Sequence, residues 1–283
     1  MVCRNLFVLV KKDGIVFALV NRRFETFKQL TSACALYLKN AAGKPLVIIF
    51  PDLPLGNKAV SRRQTKDWLS KLGPQLSGHS NAYVFFSMLE KSPLKNTVSH
   101  TGYLVRPPAK SGKNRAVFWQ AVPKVTLAES DYEDMPHQQW IRSRPNPRFK
   151  KDLAHWMRRA NRFSTGKRNG EPLFRFPRVK INGRTVELRI CGDLAAASRT
   201  PADIVAVPAW NLASPTEYRK DVLKFAGRHG FTVINDLKPS DAKPQVTLVK
   251  KNRIRQRNRW PEYQIHPKRG LMRIPPTPSR RRK

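Results

Sequence analysis

Three short apolar runs constrain this chain more than any other feature. Each is strand-like, too short for a helix, and gives way at once to a residue with chemistry of its own. Leu46-Val47-Ile48-Ile49-Phe50 ends at Pro51-Asp52, which places a carboxylate at a strand's end. Ala116 to Val122 is followed by Pro123-Lys124, a single amine, and Leu188-Arg189-Ile190 runs into Cys191-Gly192-Asp193, a thiol. Open sheets collect ligands at the carboxyl ends of their strands, so Asp52, Lys124 and Cys191 form the candidate site. Taken alone, Cys191 reads equally well as a buried structural cysteine. The same design at the two other run ends argues for chemistry.

The remaining strands and helices suggest layered α and β. Leu6 to Val10 and Ile15 to Val20 read as a strand pair about Lys-Lys-Asp-Gly, and Phe24 to Leu38 as a helix whose apolar face carries Cys34. A basic helix is expected from Ser61 to Leu72, then a buried strand from Ala82 to Leu89 with Val98 to Val105 as its antiparallel neighbour. Phe174 to Ile181 and Arg184 to Ile190 read as two strands joined through Asn182-Gly183, a dipeptide that favours a tight hairpin, so that Cys191 leaves the sheet at an edge. Asp193 to Ser198 can open a helix; Asp203 to Val207 and Phe231 to Ile234 read as strands, with an amphipathic helix from Glu217 to Arg228 between them.

At 283 residues with 40% hydrophobic content the chain can bury an ordinary core, and its boundaries fall at 1–248 for a folded domain and 249–283 for a basic, partly disordered extension. Fifty-five Lys and Arg against nineteen Asp and Glu leave a net charge of +36, which must find anions. Nucleic acid is the commonest such partner, although an acidic protein or an anionic membrane surface would meet the same field. Two stretches concentrate the excess. Residues 140–170 interleave Arg and Lys with Phe149, Trp156 and Phe163, a pattern that suits phosphate tracking with base stacking and equally an amphipathic helix with a solvated basic face. Residues 250–283 carry thirteen Lys and Arg against Glu262 alone, ending in a Pro/Ser-rich tail that closes on Arg-Arg-Arg-Lys, a disordered tail or a nuclear localisation signal. The acidic patch from Glu129 to Asp134 reads as a local counter-charge.

Cys3, Cys34 and Cys191 include no CxxC pair and no Cys/His cluster at zinc-ligand spacing, so neither disulfides nor a metal nor a cofactor is expected. No apolar run reaches the length of a signal-peptide core or a transmembrane span. The expected location is the cytosol, or the nucleus if the source has one.

Read together, Val-Ile-Ile-Phe-Pro-Asp52, Val-Pro-Lys124-Val-Thr-Leu127, Leu-Arg-Ile-Cys191-Gly-Asp193 and Ala-Asp-Ile-Val-Ala-Val-Pro-Ala-Trp210 resemble the nitrilase, or carbon–nitrogen hydrolase, superfamily. In that family one strand ends in Phe-Pro-Glu, a second at a Lys followed by Val-His-Leu, and a third presents Ile-Cys-x-Asp. The resemblance runs from about Leu6 to Asp236. It implies an α-β-β-α sandwich, a small amide or nitrile substrate, a homodimer, and a trio in which Asp52 is the base, Lys124 the oxyanion partner and Cys191 the nucleophile. The chain departs from the pattern at Asp52, where the family has Glu, at Thr126 for His, at Gly192 for an aromatic, and at Ala195-Ala196-Ala197, which lacks Pro-Glu. A second family glutamate has Glu129 and Glu133 as candidate substitutes. Two functions follow as expectations: a divergent thiol hydrolase working through a Cys thioester, with acyl transfer differing only in the final acceptor, or a catalytically impaired scaffold associated with nucleic acid.

Overall fold

The computed structural model describes residues 6–20, 22–39, 43–56, 58–91, 98–107, 118–125, 158, 162, 164–169, 171–209, 230–236, 245–250, 253–256, 262–266 and 270–273. The N-terminal half contains β1 (Leu6–Lys12), β2 (Ile15–Val20), α1 (Phe27–Lys39), β3 (Leu46–Ile49), β4 (Val60–Ser61), α2 (Arg62–Leu76), β5 (Ala82–Lys91), β6 (Val98–Arg106) and β7 (Phe118–Pro123). There follow β8 (Ser164–Arg168), β9 (Glu171–Phe174), β10 (Arg178–Ile181), β11 (Arg184–Leu188), a 3-10 turn at Cys191–Ala195, β12 (Ala197–Ser198), β13 (Ile204–Ala209) and β14 (Phe231–Asp236). The C-terminal strands are β15 (Gln245–Lys250), β16 (Arg253–Gln256), β17 (Glu262–His266) and β18 (Gly270–Arg273).

Among the described residues these strands make three sheets. The first runs β18-β17-β1-β2-β3-β5-β6-β7, with β4 beside β5; the second runs β10-β11-β13-β14-β15-β16; the third is β12-β9-β8. Strands β16, β17 and β18 from the basic C-terminal stretch pair within the two larger sheets.

The unbroken apolar character of Leu46–Phe50 has a simple origin. Strand β3 lies parallel between β2 and β5 and is buried on both faces, so both sets of alternating side chains must be apolar. Leu46, Ile48 and Phe50 face a core shared with α1 and α2, whereas Val47 and Ile49 face the second sheet. Strand β5 divides in the same way, with Val84 and Phe86 outward and Tyr83 and Phe85 inward. Across the inner core they meet Val186, Leu188, Ile204, Ala206 and Val233. The described layers are therefore helix, sheet, sheet; the expected outer helix from Glu217 to Arg228 lies outside the described residues.

Helix α2 starts where the chain supplies its own cap: Ser61 Oγ accepts from the Gln64 N–H at 3.2 Å and Gln64 Oε1 accepts from the Ser61 N–H at 2.8 Å. Trp68 then fastens the helices together, donating from Nε1 to Thr31 Oγ1 at 2.8 Å and packing edge-on against Phe86. At the end of the sandwich where β2, β3 and β14 finish, Asn235 Nδ2 donates to the carbonyls of Val20 (3.0 Å) and Ile49 (2.8 Å). The carboxyl ends of strands from both sheets are thus held at one end of the molecule.

Three local expectations need correcting. Phe174 to Ile181 is not one strand: the chain breaks at Arg175–Pro177, with β9 in the small sheet and β10 in the second sheet. Pro177 has no N–H to give to a ladder, but its carbonyl accepts from the Leu188 N–H at 2.9 Å. Strand β11 is internal, between β10 and β13, so Cys191 leaves the sheet at a strand end rather than at its edge. The helix expected from Asp193 to Ser198 is only the 3-10 turn, because Ala196 turns extended (ψ 142°) and Ala197–Ser198 pair with β9. Among the described residues no helix is long and apolar enough to cross a membrane.

Candidate functional site

Asp52 sits three residues past the end of β3. Phe50 keeps the ladder going by donating to the Phe85 carbonyl at 2.9 Å, Pro51 ends it, and the Asp52 N–H faces the Ala209 carbonyl of β13 at 3.4 Å. The carboxylate is 2% exposed and surrounded by donors. Its Oδ1 accepts from the Ser87 hydroxyl of β5 and lies 2.8 Å from His100 Nε2 of β6. Ser87 Oγ in turn accepts from the Leu53 N–H at 3.1 Å, fixing the turn, in which Leu53 has a left-handed φ of 51°. Burial alone pushes the Asp52 carboxyl up. The charge and hydrogen bond of His100, the Lys124 ammonium and the Ser87 hydroxyl outweigh burial and hold it below the usual carboxylate range.

Lys124 follows β7 directly and its side chain is buried. Its backbone N–H donates to the His100 carbonyl at 2.9 Å, so the residue that contacts Asp52 by its ring also anchors Lys124 by its backbone. The next N–H, of Val125, donates to Asp193 Oδ1 at 2.9 Å. That bond ties the end of β7 to the turn that begins with Cys191.

Cys191 is buried (4% exposed) and carries a φ of 44°, a region L residues with a Cβ seldom enter. The surroundings hold it there. The Asp193 N–H donates to the Ile190 carbonyl at 2.8 Å and the Ala196 N–H to the Asp193 carbonyl at 3.0 Å. Buried Arg189 wraps the turn, donating from one guanidinium nitrogen to the carbonyls of Asp193, Leu194 and Ala196 at 3.2, 3.2 and 2.8 Å. Its Nε bonds Glu187 Oε1 at 2.7 Å, and its guanidinium lies 4.5 Å from the Phe176 ring centroid. The preceding residue, Ile190, packs over Gly102 so closely that a Cβ there would stand 2.6 Å from Ile190 Cδ1.

The three candidates are thus linked by short steps: Asp52 to His100, His100 to Lys124, Val125 to Asp193, and Gly102 to Ile190. Ser87, His100 and Arg189 complete this network, and sequence reasoning missed all three as functional residues. A polar residue inside a run buried on both faces must be satisfied there, so Ser87 within Phe85-Phe86-Ser87-Met88 and the Ser99-His100-Thr101 triplet were the available signals. Thr126, Glu129 and Glu133 lie outside the described residues, and no group of three His, Cys, Asp or Glu able to hold a metal occurs among those described.

No protein-family model matches the chain, and neither does the sequence of any curated protein. Its structure is similar to solved ones. An amidase from Nesterenkonia sp. aligns over 94% of this chain and 90% of its own, at 13% identity and a TM-score of 0.51. A cysteine-to-serine mutant of the Nesterenkonia AN1 amidase from the nitrilase superfamily aligns over 92% and 88%, at 14% identity and a TM-score of 0.50. The chain has the fold of these amidases.

Proposed function

We propose that this chain, with its nitrilase-superfamily fold, is a thiol amidohydrolase in which Cys191 is the nucleophile, Asp52 the general base and Lys124 the oxyanion partner. The observation that supports the reading is a buried carboxylate on which a buried ammonium acts, with the residue after that lysine, Val125, hydrogen-bonded to the turn that opens with Cys191.

The chemistry needs each part. A thiol is a poor nucleophile until it loses its proton, and Asp52, held ionised by His100, Lys124 and Ser87, takes it. Sulfur attacks the amide carbon, and the carbonyl electrons move to oxygen. Lys124 and the Gly192 N–H, the amide after the nucleophile, stabilise that oxyanion. The C–N bond then breaks, Asp52 returns its proton to the departing nitrogen, and an acyl thioester remains on Cys191. Water attacks next, giving its proton to Asp52; the acid leaves and the thiol is restored. Asp52 is one methylene shorter than a glutamate, and the contacts of Ser87 and His100 on its Oδ1 fix where the shorter carboxylate stands.

The test is direct. Protein incubated with small aliphatic amides should release ammonia and, on rapid acid quench, carry an acyl adduct on the Cys191 peptide by mass spectrometry. No adduct on that peptide, with ammonia release unchanged in Lys124→Met, would remove the proposal.

A further inference from the structure

Strands β7 and β10 are the edge strands of the two large sheets, and they border the same groove. The small β12-β9-β8 sheet closes it from a third side, leaving a cavity of about 900 Å³. Its polar lining is one-sided in charge: Arg162, Arg175, Arg178 and Arg199, with the hydroxyls of Ser198 and Thr200 among them, and no Asp or Glu. Arg178 is already committed, bonding Glu187 Oε2 through Nε at 2.6 Å and holding Ser198 and Thr200 in place. The other three are exposed, and among the described residues none of their guanidiniums meets a carboxylate.

Exposed arginines that repel one another are a cost unless an anion joins them. Guanidinium forks and hydroxyls suit phosphate oxygens, which they meet bidentately. The cavity is larger than one phosphate requires, it is open rather than enclosed, and the whole chain adds a field of +36 that concentrates polyanions. Phe174 and Phe176 line it but are buried, so they offer no face to bases. We propose that this groove binds the sugar-phosphate backbone of a single-stranded nucleic acid through Arg162, Arg175 and Arg199, without reading sequence. A cavity of about 900 Å³ takes a short run of one strand's backbone, not the body of a duplex. The site is independent of Cys191 chemistry.

Fluorescence anisotropy of a labelled oligothymidylate on the full chain, measured across a salt series, tests this. The Arg162→Ala/Arg175→Ala/Arg199→Ala variant should bind on the order of tenfold to a hundredfold more weakly and flatten the log–log salt slope by about 2, at roughly 0.7 per phosphate on a single strand. The corresponding Arg-to-Lys variant should keep the slope, and Cys191→Ala should bind as the parent does. The proposal falls if the alanine variant keeps the parent slope, or if Lys28→Ala/Lys66→Ala/Lys71→Ala on the helical face loses as much. It falls equally if the lysine variant loses binding with the alanine one, or if AMP displaces the strand at equal phosphate concentration.

Discussion

Cys34 and Cys191 are both buried thiols, and the contrast between them shows that equal burial does not make two sites alike. Cys34 lies on the inner face of α1 among Leu30, Tyr37 and Leu38, at 0% exposure. Burial alone pushes its thiol far up, and it packs as a small hydrophobe. Cys191 is almost as enclosed, yet its backbone is left-handed, it opens a turn held by Arg189, and that turn is bonded to the segment carrying Lys124. One cysteine sits in a hydrocarbon core; the other opens a turn whose carbonyls a buried guanidinium holds.

The comparison can be broken most forcefully by exchanging the thiols for methyl groups. Cys191→Ala should reduce amide hydrolysis by on the order of 10⁴-fold or more, the scale on which a lost nucleophile acts, whereas Cys34→Ala should leave turnover within about twofold of the parent and cost about 1 kcal/mol of stability in a urea titration. Equal losses in the two variants would erase the distinction. Removing the base is the next largest step. Asp52→Asn should slow acylation by roughly 10³-fold, within the range of general-base catalysis, with the circular dichroism spectrum kept.

His100→Gln sharpens the argument through pH. His100 helps hold the Asp52 carboxyl below its ordinary value, so the substitution should raise that value and move the acid limb of Cys191 alkylation to higher pH. The same linkage has a stability counterpart. A depressed folded-state value means the contribution is complete above the unfolded carboxyl value of about 3.9 and is lost as pH falls through the lower folded one. In His100→Gln that loss should be smaller and finish at higher pH; an unmoved acid limb would deny His100 its hold on Asp52. The smallest effect is expected at Gly102→Ala. The new Cβ must displace Ile190, beside Cys191, at a cost of about 1–3 kcal/mol, seen as a lower urea midpoint together with slower Cys191 labelling.

Much of the fold was readable because its signals are local. The Asn182-Gly183 hairpin forms with φ of 48° and 73° at its two central residues, as that dipeptide allows. The run at Leu46–Phe50 announced a buried strand, and the basic helix expected from Ser61 starts there as α2. What could not be read depends on register between distant strands. Ser87 stands opposite Gly102 only because β5 and β6 pair as they do, and that pairing brings Ser87 and His100 to Asp52. Arg189 fell within the strand expected from Arg184 to Ile190; its partners are carbonyls of a turn that the sequence suggested would be helical. The break at Arg175–Pro177 did leave a trace: the apolar and basic alternation slips by one position at Pro177, from Phe174 and Phe176 to Val179 and Ile181.

The central claim is that the carboxylate, the ammonium and the Cys191 sulfur act on one another. Peptide-resolved iodoacetamide labelling of the native chain, followed by mass spectrometry against time, measures this most directly. Cys191 should label at least about a hundredfold faster than Cys34, in keeping with thiolate-controlled reactivity, and Asp52→Asn should remove most of that advantage. Cys191 labelling as slowly as Cys34, or as fast in Asp52→Asn as in the parent, would contradict it.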